Sequence, residues 1–307
     1  MTAQRKGVLM SGQRIAGTRR CTWSYAPTTN DRQRIMPDIE LIALDLDGTL
    51  LAADETISAA NRAAITKALL AGIRVVLVTG RGVDTPIRVS RELGLNLPVI
   101  CCHGALTKDF GTNKTLVHIP VPLQYAKPMI EFAERNGLPL AVYVDEFFWR
   151  LEGSHIYMQD MTGPAWREAR SFDEVLTGAP TFIRFLGADS VAAMKREFGD
   201  YPLAFRYETW QDFVECAVLS RDASKQTALA RLCADFGVPS DRVLAIGDSR
   251  NDVPMMQWAG IGVAMGNALP EVRHAVRYVT ASNERDGVAL AIEKFALRPP
   301  AADKKTA

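Results

Sequence analysis

Cysteine is scarce. The 307 residues hold five, Cys21, Cys101, Cys102, Cys216 and Cys233, with no CxxC pair and none spaced against a histidine as in a zinc site. An odd count in a chain this long argues against a disulfide scaffold and for reduced, buried thiols in a cytoplasmic setting. The adjacent Cys101 and Cys102 read as packing, because neighbouring cysteines bridge only with strain. Histidine is scarcer still: His103, His118, His155 and His274 are scattered, which argues against a histidine-built metal centre. No apolar run reaches the roughly 18 residues of a membrane span. Excess charge is also missing. A formal net charge of +1 gives no footprint for nucleic acid or a membrane surface. Internal repeats and low-complexity tracts are absent as well.

What remains is ordinary globular material. A hydrophobic fraction of 48% supplies a core, and the length suits two domains or one domain carrying an insertion. The first 35 residues stand apart, with Arg5, Lys6, Arg14, Arg19, Arg20, Arg32 and Arg34 against the single acid Asp31. They have no apolar segment of the secretory kind. Their composition resembles an organelle transit peptide, but they also lack any apolar period, and Met36 directly precedes the first strand. We therefore read residues 1–37 as an extension, disordered or upstream of the true start, and leave them out of the fold.

Beyond it, strand-like and helical patterns alternate. A strand over 39–45 leads to a helix capped by Ser58 and closed by Gly72. "IRVVLVTG" (73–80) is apolar on both faces, as in a strand covered on both sides. A short helix to Leu93, a strand at 98–102 and a hairpin over 106–119 with Gly111 in its turn follow. Near Pro120 the pattern changes. A helix (123–136), a hairpin (140–151), helical pieces within 154–176, a strand (181–186), a helix (189–199) and paired strands (203–208, 212–218) describe an α+β unit with helices on one face of an antiparallel sheet. After Ser220 alternation returns, with helix 224–236, strand 242–248, a helix from about Asn251, strand 260–265, a helical "EVRHA", a strand in "RYVT" and a final helix 286–296. Thus residues 38–121 and 219–297 form one parallel α/β domain, residues 122–218 are inserted into it, and 298–307 form a loose tail.

The chemistry gathers at strand ends. Asp45 and Asp47 follow the first strand, Thr79-Gly80-Arg81 the second, and Asp248 stands in "GDSRND" (247–252) after a later one; Lys225 opens a helix. Open parallel sheets bind ligands beyond the carboxyl ends of their strands, so these distant segments can converge. Carboxylates gathered in one crevice repel unless a cation joins them. Oxygen donors without histidine or cysteine favour Mg²⁺. One lysine and the amides of strand-to-helix turns then favour an anionic substrate, most simply a phosphate.

"DLDGT", "TGR", the lysine before a helix and "GDSRND" resemble the four motifs of the haloacid dehalogenase (HAD) superfamily. "GVAMGNA" (262–268) and the inserted α+β block resemble its Cof-type phosphatases with a C2-type cap. The resemblance spans about residues 39–296. It implies a Rossmann-like parallel-sheet core with an inserted cap domain, and a Mg²⁺-dependent phosphomonoester hydrolase acting through an aspartyl phosphate. By it Asp45 is the nucleophile and Asp47 the general acid and base. Residues two apart in extended backbone point the same way, which suits that pairing. The metal would be held by Asp45, the main-chain carbonyl of Asp47, and Asp248. Phosphate would be bound by Thr79, Gly80, Lys225, Asn251 and the amides near Leu46 and Asp47, with Asp252 supporting. Substrates implied are small soluble metabolites, sugar phosphates first and cofactor phosphates such as pyridoxal phosphate next. A phosphomutase using the same aspartyl phosphate and a non-catalytic ligand-binding protein are the alternatives. Nucleic-acid and membrane partners are not expected; the oligomeric state stays open.

Two positions depart from the subgroup: His103 replaces an asparagine in Asn-Gly-Ala, and Gln226 replaces the glycine after the lysine. His103 is expected to titrate near neutrality and alter one wall of the site, and Gln226 to narrow the entrance. Plainer readings are kept for Arg81, a turn-fixing ion pair; Asn267, divided between loop and site; and Phe147, Phe148 and Trp149, cap core. Asp145, Glu146 and Arg184 are conceivable substrate contacts.

Overall fold

The computed structural model describes residues 38–153, 165–210 and 213–297. The N-terminal extension, the tail and the expected helical pieces within 154–164 lie outside them.

A five-stranded all-parallel sheet forms the core. Its strands are β1 (Leu41–Leu44), β2 (Arg74–Leu77), β12 (Val243–Gly247), β13 (Ile261–Ala264) and β14 (Tyr278–Val279), in the order β14-β13-β12-β1-β2. β1 and β12 lie side by side, with Leu44 opposite Ile246, so Asp45 and Asp248 emerge from neighbouring strand ends although 203 positions separate them. Strands β3 (Val99–Cys101), β4 (Leu106–Asp109) and β5 (Lys114–His118) form a small antiparallel sheet, and a single bridge from Val78 to Ile100 ties it to β2. Asp109 holds the hairpin turn by accepting from the amides of Gly111 (2.9 Å) and Thr112 (3.2 Å).

Helices cover the core sheet. In α1 (Ala59–Leu70), Ser58 caps the N-terminus through a 3.1 Å bond from the Asn61 amide, and Ala64, Ile65 and Ala68 are buried. α2 (Asp84–Leu93) follows β2. Later in the chain come α5 (Lys225–Asp235), α6 (Val253–Trp258), α7 (Pro270–His274) and α8 (Gly287–Phe295). Leu229 and Leu232 of α5 pack with Leu41, Val243 and Met255 in one cluster.

Between β5 and α5 the chain builds a second, six-stranded sheet. Its strands are β6 (Leu140–Val144), β7 (Phe147–Leu151), β8 (Trp166–Ala169), β9 (Phe182–Leu186), β10 (Leu203–Trp210) and β11 (Phe213–Ser220), ordered β10-β11-β9-β6-β7-β8. Helices α3 (Leu123–Arg135) and α4 (Ala188–Phe198) contribute Met129, Ile130 and Met194 to a core with Val142, Ile183, Phe185 and Cys216 on one face. The helical reading fails at 166–169. There β8 runs parallel to β7, with the Trp166 ring stacked on Phe148 at 4.8 Å. Four residues are too few to show a helical period, and a cross-strand aromatic pair decides the matter. The opposite face of this sheet meets the core: Tyr143, Phe148, Phe182, Ala217 and Leu219 share a cluster with Val99, Cys101, Cys102 and Ala105. The Tyr143 hydroxyl accepts a 3.0 Å bond from the Val83 amide. The four described cysteines are buried free thiols. No helix among the described residues is long and apolar enough to cross a membrane.

Candidate active site

The loop after β1 turns sharply. The Leu46 carbonyl accepts from the amides of Thr49 (3.1 Å) and Leu51 (2.9 Å), and Gly48 takes φ +69°. A Cβ on Gly48 would stand 2.2 Å from Asp248 Oδ2, so glycine is required twice, for conformation and for space. The amides of Leu46 and Asp47 donate to no group among the described residues, which leaves them available to an anion.

Asp45 is buried. Its Oδ1 accepts a 2.7 Å bond from Lys225 Nζ, and the same ammonium donates to Asp252 Oδ1 at 2.6 Å. Lys225 is the first residue of α5. Ser224 caps that helix through a 3.0 Å bond from the Thr227 amide, and this aims the lysine at the end of β1. Asp252 Oδ2 accepts from the amides of Asp248 (3.2 Å) and Ser249 (3.0 Å) and from Ser249 Oγ (3.0 Å). Both oxygens of Asp252 are thus engaged, which suits support of Lys225 and of the Asp248 loop. Ser249, which the sequence reading did not single out, also has its Oγ 2.8 Å from Asn251 Oδ1, so its one hydroxyl proton is shared between that oxygen and Asp252 Oδ2.

The carboxylates crowd one another. Oxygens of Asp45, Asp248 and Asp252 lie within 4.8 Å of one another. Burial, then the charge of Asp252, holds the Asp45 carboxyl well above the usual range, and the same causes push Asp248 up to about 7. Lys225 supplies one positive charge against three carboxylates, and its own pKa is raised by Asp252 and Asp45 against the opposing effect of burial. A hard divalent cation between Asp45 and Asp248 fits this all-oxygen, under-compensated cluster. The Asp47 carboxylate is not in the cluster. It points toward solvent with 53% of its side chain exposed, gripped by Arg81, whose Nε lies 3.0 and 2.9 Å from its two oxygens. Arg81 also pairs with Glu55 at 2.6 Å. The arginine therefore forms an ion pair, as read from the sequence, but its partner is Asp47 itself. Loop contacts between residues 34 apart leave no periodic trace in a sequence.

Thr79 is fully buried, and its Oγ1 accepts from the Arg81 amide at 3.1 Å. Gly80 lies under the His103 imidazole; a Cβ there would come 2.4 Å from Cε1. Cys102 and His103 take φ +52° and +55°, a left-handed pair ahead of Gly104 at +94°. Nδ1 of His103 is 3.2 Å from Asn251 Nδ2. With the amide as donor, Nδ1 accepts and the ring carries its proton on Nε2. The expectation that His103 titrates near neutrality is not met: burial first, then the charges of Lys225, Arg206 and Arg184, push it down to about 3. Asn267 proves to be a site-loop residue. Its Nδ2 donates to the Gly48 carbonyl (2.8 Å), and its Oδ1 accepts from the Asn283 amide (3.1 Å). Gln226 is half-buried in the first turn of α5. Asp145 and Glu146 form the β6–β7 turn, where Glu146 pairs with the buried Lys108 of β4, an ion pair between insertion and core.

Comparison with known proteins agrees with this geometry. The family model for haloacid dehalogenase-like hydrolases matches residues 42–292. A 5-amino-6-(5-phospho-D-ribitylamino)uracil phosphatase of Bacillus subtilis, YcsE, is 31% identical over 268 residues, covering 86% of this chain and 99% of its own. The pyridoxal phosphate phosphatase YbhA of Escherichia coli is 28% identical over 262 residues, covering 81% and 96%. A haloacid dehalogenase-like hydrolase from Bacteroides thetaiotaomicron superposes with a TM-score of 0.73 at 27% identity, covering 84% of this chain and 99% of that one. With its parallel core, inserted sheet and matching span, the chain belongs to the haloacid dehalogenase-like hydrolases and is a phosphatase of their Cof-type subgroup.

Proposed function

We propose that the protein hydrolyses phosphate monoesters of small soluble metabolites by passing the phosphoryl group through Asp45, with Mg²⁺ at the carboxylate cluster. Sugar phosphates are the leading substrates. Cofactor phosphates come next, and the names of the relatives lend them weight. The observation that carries this reading is the 2.7 Å bond from Lys225 to Asp45 beside Asp248. It holds one oxygen of a buried carboxylate and leaves the other for attack.

An Asp45 oxygen forms a bond to phosphorus as the bond from phosphorus to the ester oxygen breaks, and Asp47 gives its proton to the departing alkoxide. Water then attacks the aspartyl phosphate. Asp47 takes the proton from that water, the bond from phosphorus to Asp45 breaks, and the carboxylate is restored. Lys225, Thr79, Asn251 and the amides of Leu46 and Asp47 bear the charge on the equatorial oxygens. Asp45, the main-chain carbonyl of Asp47 and Asp248 would hold Mg²⁺, which when bound offsets the mutual repulsion of carboxylates and phosphate. Arg81 engages both oxygens of Asp47, so Asp47 must leave that guanidinium before either oxygen can pass a proton to the leaving group. Arg81 is therefore a resting partner of the proton donor.

The test is phosphate release from a panel of sugar, nucleotide and cofactor phosphates with Mg²⁺ and no activating bisphosphate. Asp45→Asn should abolish turnover, a loss of at least about 10³-fold. Turnover unchanged in that variant or after full chelation would refute the mechanism. A requirement for a bisphosphate activator would favour the phosphomutase reading instead.

A further inference from the structure

The alternation of the second sheet sorts its charged residues. Ile183, Phe185, Cys216 and Val218 face α3 and α4. The intervening Arg184 of β9, Glu215 of β11, and Arg206 and Glu208 of β10 therefore face the other way. Register aligns them in two rows: Arg206 opposite Ala217 opposite Arg184, and Glu208 opposite Glu215. That face lies over the site. Phe182 and Ala217 pack against Cys101 and Cys102, and the Phe182 ring meets the His103 ring edge-on at 6.5 Å.

The four charges are not equivalent. Arg184 is ion-paired with the buried Glu215 and lies 5.6 Å from the Phe148 ring centre. Arg206 is half-buried and makes no ion pair among the described residues, not even with Glu208 two positions along the same strand face. Glu208 is half-buried; burial first, then Glu215, pushes it up to about 7, while Arg184, Lys225 and Asp47 also act on it. Glu208 and Arg206 share the sheet face that carries Ala217 and Phe182, the residues that pack against Cys101, Cys102 and His103. Near neutrality this face therefore offers one uncompensated guanidinium beside a carboxyl that is protonated for part of the time.

We propose that Arg206 binds a second anionic group on the leaving portion of the substrate, with Glu208 hydrogen-bonding hydroxyls beside it. The substrate class is a polyhydroxylated phosphate monoester that also carries a carboxylate or a second phosphate. A partly desolvated guanidinium recovers its lost hydration best from a planar or tetrahedral oxyanion, which it grips through two donors. A neutral sugar offers only hydroxyls and leaves that charge uncompensated. The inference rests on the phosphomonoesterase reading above and names the substrate of the same site.

The test pairs substrates matched except for the second anion: glucitol 6-phosphate with 6-phosphogluconate, both open chains, and fructose 6-phosphate with fructose 1,6-bisphosphate. With full-length protein and Mg²⁺, the anionic member of at least one pair should be favoured in kcat/KM by about tenfold or more. Which pair shows it tells carboxylate from phosphate. Arg206→Gln should bring that ratio to within about twofold of unity, and Arg206→Lys should keep part of it. No preference in the wild type, or a preference that survives Arg206→Gln, would overturn the inference. If p-nitrophenyl phosphate is not turned over either, the hydrolase reading itself fails. The inference is then judged by calorimetric binding of the same pairs to wild type and Arg206→Gln, with the same two outcomes.

Discussion

Lys225 is sealed in with an aspartate on either side of its ammonium, Asp45 and Asp252. Removing it strands two buried carboxylates. Lys225→Met should cost roughly 3–5 kcal/mol in urea denaturation, besides abolishing turnover. His103 makes a prediction of opposite character. It is held neutral, down from an ordinary 6.5 to about 3. A histidine with a depressed folded pKa binds fewer protons folded than unfolded between those values. Its contribution is complete above the unfolded value and is lost as pH falls toward the folded one. His103→Asn should therefore lose less stability than wild type between about pH 7 and pH 4.5, read from urea midpoints. Equal losses would show that His103 is protonated in the folded protein. Glu208 titrates the other way. Above about 7 it ionises beside Glu215, with Arg184 on its own sheet and Lys225 and Asp47 also acting on it. Ionised Glu208 adds a negative charge to the face that would take the second anion, so preference for the anionic substrate should fall from about pH 6 to about pH 8. Glu208→Gln should remove that dependence.

Among the elements, the junction of the 102–104 turn with α5 sets where Lys225 points. A Cβ on Gly104 would stand 2.1 Å from the Ser224 carbonyl, at a φ of +94° that only glycine adopts freely. Gly104→Ala should destabilise by about 2–3 kcal/mol and lower kcat, because the cap of α5 must shift and carry Lys225 with it. A variant with wild-type stability would show that the turn and helix separate freely. This junction is invisible in the sequence, since the contact spans 120 positions and involves only backbone on one side. What the sequence does reveal is local. Ser58 announces a helix start and the apolar run 73–80 a doubly covered strand, but the spacing of Asp45 and Asp47 does not announce that Asp45 alone is buried while the Asp47 carboxylate turns out to Arg81. The misread segment at 166–169 and the Arg81–Asp47 pair share one cause: each is decided by a partner far along the chain, Phe148 stacking on Trp166 and Asp47 capturing the guanidinium. Likewise the burial that keeps His103 neutral comes from packing around the ring, and the residue's own identity says nothing of it.

Taken together, a parallel sheet brings β1 and β12 side by side, and an inserted sheet packs through Tyr143, Phe148 and Phe182 on Val99, Cys101 and the 102–105 turn, whose His103 reaches Asn251. The acids so gathered repel one another, and on the proposed reading a cation joins them. Mg²⁺ at about a hundred times its Kd should raise stability by about 2.7 kcal/mol, seen as a higher Tm, and Asp248→Asn should abolish the rise. An unchanged Tm in wild type would remove the cation from the site. The proposed chemistry demands one thing above the rest, that phosphorus passes through Asp45. Borohydride quenching of the protein during turnover, followed by peptide mass spectrometry, reads this directly, because only an acyl phosphate is reduced. A mass change confined to the peptide carrying Asp45, and lost in Asp45→Asn, is the expected result. Reduction at another carboxylate, or none at Asp45 in wild-type protein quenched during steady turnover, would contradict it.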